Sequence, residues 1–169
     1  TLDVGVWSSS DWSAADAYQS GFQFQLTIPQ GAAITSAYLE VESAGYSNLV
    51  DIRVYVADAS TVSAFTSGLP TLPDRYTWVS TSIDWRPSGW TNGSRLSSPD
   101  ISALLQRVIS RSDWSSGNYV CVMLQFMYAS SYQALNEIKG SASNTFAQED
   151  LARLYVEYLV PESENIVPA

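Results

Sequence analysis

The residues that could carry acid–base chemistry in this chain are carboxylates, because the sequence contains no histidine. Without imidazole, Ser-His-Asp hydrolysis, Cys-His chemistry and the zinc sites that use histidine are excluded. Glu40 and Glu42 would lie on one face of a strand, with Cα atoms roughly 7 Å apart. A glycosidase also needs one carboxyl whose pKa is raised by its surroundings, which this pattern does not supply. We therefore predict a solvated strand face and no enzyme activity.

Metal binding and thiol chemistry have little support in the sequence. No D-x-D-x-D-G loop is present, so a structural calcium ion is an open alternative whose ligands are unknown, and no other cofactor is predicted. The single cysteine, Cys121, cannot form an intramolecular disulfide. Its apolar neighbours predict a buried, inert thiol. The oxygen ligands available to calcium are spread along the chain: Asp11, Asp16, Asp51, Asp58, Asp84 and Asp100.

Aromatic side chains in polar stretches are the candidates for ligand binding. Trp12 lies in "SSSDWSAAD", and Tyr128 and Tyr132 lie in "MYASSYQ". A flat ring beside hydroxyl and amide groups is suited to stacking against a sugar, so these three residues are predicted to bind carbohydrate. Packing or subunit contact is the alternative for each ring. Core or corner packing is predicted for three other tryptophans, Trp85, Trp90 and Trp114.

The charge balance excludes two classes of partner. The 169 residues carry 17 acidic and eight basic side chains, which gives a net charge of −9. Such a field repels phosphate backbones, and no basic cluster opposes it, so we predict no nucleic-acid binding. No apolar run approaches the roughly 20 residues that span a bilayer, so we predict no membrane insertion. Charged residues make up 15% of the chain, against roughly 25% in soluble domains, which favours an extracellular or virion setting.

Short alternating runs dominate the chain and predict strands with one face in a core. Residues 22–28 form one such run, and Ile28 to Gly31 fits a type I turn that follows it. Ile34 has the wrong parity for the next run, which places it before the strand or at a bulge. The inward-facing residues predicted in these and two later runs are Phe22, Phe24, Leu26, Ile28, Ala37, Leu39, Val41, Val50, Ile52, Val54, Val56, Ala152, Leu154, Val156 and Tyr158.

One amphipathic helix is predicted at about residues 99–111. Ser98 would cap it, Pro99 would occupy its first position, and Asp100 would place a negative charge in its first turn. Apolar residues then recur at helical spacing.

The run at 119–128, "YVCVMLQFMY", is apolar on both faces. A strand of this kind must be covered twice: once by the opposite sheet, and once by the helix, a long loop or a neighbouring subunit. This double coverage and the polar tail predict subunit contacts at Tyr119, Met123, Met127, Ile166 and Val167.

Four segments in the same order resemble a family of bacterial and phage surface modules related to DNRLRE-type and carbohydrate-binding jelly-roll domains. They are residues 21–41, 83–90, 98–118 and 151–158. The resemblance implies a β-sandwich and a non-catalytic role on secreted enzymes, cell-surface proteins or phage structural proteins. The chain carries neither an attached enzyme nor a secretion signal, which favours the phage role.

The sequence as a whole predicts an all-β protein, an antiparallel β-sandwich of jelly-roll type with one helix. We expect a single domain over residues 1–160 and a tail over 161–169. The leading functional hypothesis is a structural or adhesion module on a virion surface, such as a decoration or appendage protein. Its partners would be copies of itself or other surface subunits, with glycans as further contacts. The alternative hypothesis is a carbohydrate-binding module of a secreted or cell-surface protein.

Overall fold

The computed structural model describes residues 2–6, 17–45, 50–63, 65, 72–129, 135–138 and 151–161. These residues form nine strands and two helices, and every strand pairing among them is antiparallel. In chain order the elements are β1 (Leu2–Val6), β2 (Ala17–Gln25), β3 (Ala33–Gly45), β4 (Val50–Val56), α1 (Leu72–Arg75), β5 (Ile83–Trp85), β6 (Arg95–Ser97), α2 (Ser102–Ile109), β7 (Tyr119–Ala129), β8 (Leu135–Ile138) and β9 (Arg153–Leu159).

The strands form two sheets that share one core. The front sheet has the order β5-β4-β7-β2, and the back sheet consists of β6, β3 and β9, with β3 in the middle. Strands β1 and β8 link β2 of the front sheet to β3 of the back sheet. The predicted all-β antiparallel sandwich is therefore confirmed. The jelly-roll connectivity that we expected is not confirmed by this strand order.

The inward-facing residues that strand alternation predicts lie in the core or pack against it, and the side chain of Val50 lies outside the described ones. Leu39 and Val41 of the back sheet and Val54 of the front sheet are completely buried. Tyr158 is the exception, since it remains 38% exposed. It lies near the end of β9, where it pairs with Ile34 next to a register shift in β3. That shift confirms the predicted alternative of a bulge near Ile34.

The turn after β2 differs by one residue from the predicted one. The N–H of Ala32 donates to the carbonyl of Pro29 over 3.2 Å, so the turn comprises residues 29–32. Gly31 is then its third residue, with φ of +80°, which is the signature of a type II turn and not of the predicted type I turn. The turn leads the chain from the front sheet to the back sheet.

Helix α2 begins later than predicted, at Ser102, with Ile101 as its N-cap residue. The predicted cap at Ser98 is therefore wrong. The Ser98 hydroxyl accepts the N–H of Leu39 over 3.0 Å, inside the back sheet. The Asp100 carboxylate accepts the N–H of Ser102 over 2.9 Å and the N–H of Ala37 over 3.0 Å. The residues before the helix thus close one edge of β3.

Strand β7 is covered within the chain on its inner face and, around Cys121, on its other face. Its inner face packs in the core between the sheets, while Cys121, on the other face, packs against Ala57 and Val62. The connection after β4 also bonds to β7, since the N–H of Val62 donates to the Tyr119 carbonyl over 3.1 Å. A long loop therefore supplies the second cover at Cys121, one of the three predicted alternatives. Burial raises the pKa of the Cys121 thiol to about 12, as expected for an inert cysteine.

Candidate functional site

An open cleft lies on the outer face of the front sheet, where β4 pairs with β5. Its volume is about 470 Å³, within the range of small-ligand sites. The register that builds it places Arg53 opposite Asp84 and Ile52 opposite Trp85. Met127 of β7 borders the cleft on the other side of β4. The lining residues are Asp51, Ile52, Arg53, Asp84, Trp85, Arg86 and Met127.

Two ion pairs cross the cleft from strand to strand. The Arg53 Nε lies 2.7 Å from the Asp84 Oδ1. The Arg86 Nε and Nη2 each donate to one oxygen of Asp51 over 2.5 Å, which is the bidentate geometry. The hydrogen bonds from Arg86, followed by its charge, hold the pKa of Asp51 below its ordinary value in spite of some burial. The cleft therefore presents fixed donors and acceptors.

Apolar surface lies beside these charges. Met127 is 38% exposed, whereas Trp85 is 5% exposed and packs with Trp90 in the core. Met127 has a flexible thioether side chain that adapts to irregular partners. A shallow cleft with charged groups and one exposed apolar side chain can hold a polar ligand or an edge of another protein.

Aromatic rings continue this face along β4. Tyr55 lies two residues beyond Arg53, so the two side chains project from the same face of the strand. The hydrogen bond to Asp84, followed by one to Tyr55, raises the pKa of Arg53. The ring of Tyr55 meets Trp78 edge to face, with centroids 6.3 Å apart. Trp78 is partly buried, and its ring also meets Tyr76 edge to face, with centroids 5.7 Å apart.

The Glu40 and Glu42 pair is not the solvated face that the sequence predicts. Arg95 of β6 lies between the two carboxylates, with its Nη1 2.8 Å from Glu40 and its Nη2 2.9 Å from Glu42. Glu42 is only 8% exposed. Arg153 approaches Glu40 from the other side at 3.7 Å. The pair is thus held between arginines in a partly buried cluster, which is an arrangement for stability.

The predicted carbohydrate-binding residues fall mostly outside the described part of the chain. Trp12 and Tyr132 lie outside it. The backbone of Tyr128 pairs with that of Asp51 in the β4–β7 ladder, so it lies at the end of β7 beside the cleft.

The predicted subunit contacts divide into three groups. Ile166 and Val167 lie outside the described residues. Tyr119 and Met127 are exposed, at 44% and 38%, and both remain predictions. Met123 differs from the expectation, because it is 2% exposed and its side chain offers no surface for a second subunit.

The aspartates considered for calcium have other partners where the structure describes them. Asp58 pairs with Arg111 at 2.9 Å, and Asp100 accepts backbone N–H groups. Asp11 and Asp16 lie outside the described residues. Within the described ranges, no three histidine, cysteine or acidic side chains come together as a metal site would require. In the same ranges, no helix has the length and apolar character to cross a membrane.

The four charged residues of the cleft were not predicted as a site, although the sequence carries a signal for them. The chain contains the pattern D-x-R twice, as Asp51 to Arg53 and as Asp84 to Arg86. Two such strands paired antiparallel place each aspartate opposite an arginine. The signal depends on knowing that β4 pairs with β5, which periodicity alone does not provide.

Comparison with known proteins adds no relative to this picture. No protein-family model, no curated protein and no solved structure matches the chain. The fold therefore defines only the class of the protein, an all-β sandwich, and the cleft is the feature of the described surface that bears on function.

Proposed function

We propose that this chain is a non-catalytic β-sandwich module displayed on an outer surface, where it contacts other subunits through the cleft of the front sheet. The setting that we propose is a phage virion, with the chain as a decoration or appendage protein. The observation that carries the proposal is the cleft itself. It combines the Arg53–Asp84 and Arg86–Asp51 pairs with the exposed side chain of Met127.

The charges of the cleft favour recognition over catalysis. A general acid at neutral pH needs a carboxyl with a raised pKa, and the pKa of Asp51 is lowered by Arg86. The other carboxylate of the cleft, Asp84, is bonded to Arg53. Paired charges held across two strands keep their positions before a partner arrives, which reduces the ordering cost of binding.

The subunit-contact proposal is tested by locating the chain in an assembled particle. Antibodies raised against the purified chain should label the outside of intact virions from the source in immunogold electron microscopy. Cross-linking mass spectrometry on the same particles should then place Met127 and the cleft within reach of another subunit. A chain that is recovered only as a free protein in the culture medium contradicts the proposal.

A carbohydrate-binding role is the second candidate, and the partly buried Trp78 ring, which contacts Tyr55, favours it. A sugar could stack on the exposed part of that ring while its hydroxyls bond the charged groups near Tyr55. A glycan array should then give hits that Trp78→Ala and Arg86→Ala abolish. Arg107→Ala is the matched control, because Arg107 is an exposed arginine of helix α2 that does not line the cleft. An array without hits excludes this candidate and leaves the subunit-contact proposal to its own test.

A further inference from the structure

Strand β9 leaves an open edge on the back sheet. Among the described residues it pairs with β3 and with no other strand. Its far edge therefore presents backbone N–H and C=O groups in the described part of the chain. The strand and the residue after it are also exposed, with Tyr155 at 39%, Leu159 at 64% and Val160 at 56%. An edge of this kind is a template for pairing with another strand.

The pairing of β3 determines which backbone groups of β9 point outward. Both backbone groups of Leu39 are bonded to the segment before helix α2. Because successive residues of a strand bond to opposite sides, Tyr38 bonds toward β9, where it is opposite Tyr155. The outward-pointing groups of β9 therefore belong to the neighbouring residues, Leu154 and Val156. Any strand added at this edge must bond to them.

The sequence of β9 is complementary to itself in one register that uses these groups. When Tyr155 lies opposite Tyr155 of a second copy, Leu154 bonds to Val156 of that copy. Arg153 then lies opposite Glu157 of that copy, and the two-fold axis repeats the pair. Moving the register by two residues in one direction places Glu157 opposite Leu151, and moving it by four in the other direction places Glu157 opposite Glu157. The register that places Tyr155 opposite Tyr155 therefore gives two ion pairs and one aromatic pair.

We propose that two copies of this chain associate through their β9 strands, paired antiparallel about Tyr155, so that the two back sheets form one continuous sheet. The partner is thus a second copy of the chain, because Arg153 of one copy is complementary in charge to Glu157 of the other. This edge belongs to the back sheet and does not include the cleft of the front sheet. The inference therefore goes beyond the proposed function, and its tests need no ligand and no particle.

The side chains of β9 are placed for this contact. Tyr155 stacks on Tyr38 with centroids 4.9 Å apart, which fixes its ring on the outer face. Arg153 approaches Glu40, yet its side chain stays 44% exposed, so its guanidinium can also reach a facing carboxylate. In the same register Leu159, which is 64% exposed, lies opposite Leu151 of the second copy. Pairing thus covers apolar surface as well as backbone.

A disulfide placed on the proposed two-fold axis tests the register. Directly opposite residues of an antiparallel pair have Cβ atoms about 4.5–5.5 Å apart, close to disulfide geometry. Mild oxidation of Tyr155→Cys should therefore give a covalent dimer. Glu157→Cys is the matched control on the same exposed face, because the two copies of that position are roughly 13 Å apart along the strands. Equal cross-linking of both variants, or none with Tyr155→Cys, overturns the proposal.

A charge exchange tests the association without a covalent link. The wild-type chain, of 18.5 kDa, should show a weight-average mass that rises toward twice this value with concentration in analytical ultracentrifugation. Glu157→Arg should remove the rise, and Arg153→Glu combined with Glu157→Arg should restore it. Leu159→Lys, at a highly exposed position, gives a second disruptive variant if the double variant folds poorly by circular dichroism. A wild-type mass that stays at 18.5 kDa at every concentration overturns the proposal, as does a dimer that Glu157→Arg leaves intact.

Discussion

Replacing Arg95 by alanine is expected to destabilise the fold more than a surface substitution normally does, although Arg95 lies on the short strand β6. The guanidinium bridges Glu40 and Glu42 at 2.8 and 2.9 Å. The side chain of Glu42 is 10% exposed, and that of Arg95 is 27% exposed. Without Arg95, the Glu42 carboxylate would keep its desolvation and lose this cation.

The magnitude follows from the burial of the cluster. Removing one partner of a fully buried ion pair costs about 3–5 kcal/mol, whereas a surface pair is worth about 0–1 kcal/mol. Because Arg95 and Glu42 lie between these limits, we expect Arg95→Ala to cost about 2–3 kcal/mol. In a domain of this size, that corresponds to a fall of roughly 5–10 °C in the melting temperature.

Urea unfolding of four proteins measures this effect and its cause. They are the wild type, Arg95→Ala, Glu42→Gln and the double variant. Neutralising Glu42 removes the charge that Arg95→Ala leaves without its guanidinium, so the double variant should recover about 1 kcal/mol relative to Arg95→Ala alone. A loss below about 0.5 kcal/mol for Arg95→Ala, or strictly additive single effects, would refute the reasoning.

The remaining predictions concern backbone contacts, a turn and the thiol. Ser98→Ala should cost about 1–2 kcal/mol in urea unfolding, because it leaves the buried N–H of Leu39 without its acceptor; an unchanged midpoint would contradict this role. Gly31→Ala should cost about 1 kcal/mol from the positive φ alone, since no atom lies within 4 Å of the added Cβ; a much larger loss would indicate a clash. Backbone N–H groups hold the pKa of Asp100 below its ordinary value, so its contribution to stability is complete above about pH 4 and disappears as the pH falls through that lowered pKa. The stability difference between wild type and Asp100→Asn should accordingly close in acid, and a constant difference would refute it. Cys121 should react with Ellman's reagent only after unfolding, since its pKa is raised to about 12 by burial, and rapid reaction of the native protein would show that the loop cover opens.

The strands and the core were predictable because alternation records burial directly. Val54 and Leu39 are completely buried, as their positions in alternating runs predict. The bulge near Ile34 was also predictable, since a residue of the wrong parity must be absorbed somewhere in the strand. These features depend only on local sequence, and each holds whatever strands lie alongside.

The start of the helix was not predictable in the same way. Ser98, Pro99 and Asp100 together form a common helix-start pattern, yet Ser98 and Asp100 bond to the backbone of β3. A hydroxyl or a carboxylate can satisfy the N–H of a helix or the N–H of a strand equally well. Only the tertiary position of β3 decides which of these N–H donors the side chains accept, and the helix begins at Ser102.

The cleft was missed for a related reason. Asp51 and Asp84 are outward-facing residues in separate strands, and each reads as ordinary surface. They become one site only when β4 and β5 pair in the register that sets Arg53 opposite Asp84. Strand order is not encoded in the period of either strand, which is why the four charges were not predicted to meet.

The two sides of β3 are completed in different ways, and the side that ends in β9 is the one that we propose for association. On one side, β3 is closed by β6 and by polar side chains near the helix, including Gln106, which accepts the N–H of Ile34 over 2.7 Å and donates to Ala32 over 3.1 Å. The Gln106 side chain of helix α2 and the side chains of Ser98 and Asp100 before the helix thus bond backbone groups of β3 in place of a neighbouring strand. On the other side, β9 receives no such cover from the described residues. Charged side chains on an edge strand commonly hinder its pairing with another strand. Arg153 and Glu157 instead carry opposite signs at the spacing that a second copy of the strand would match.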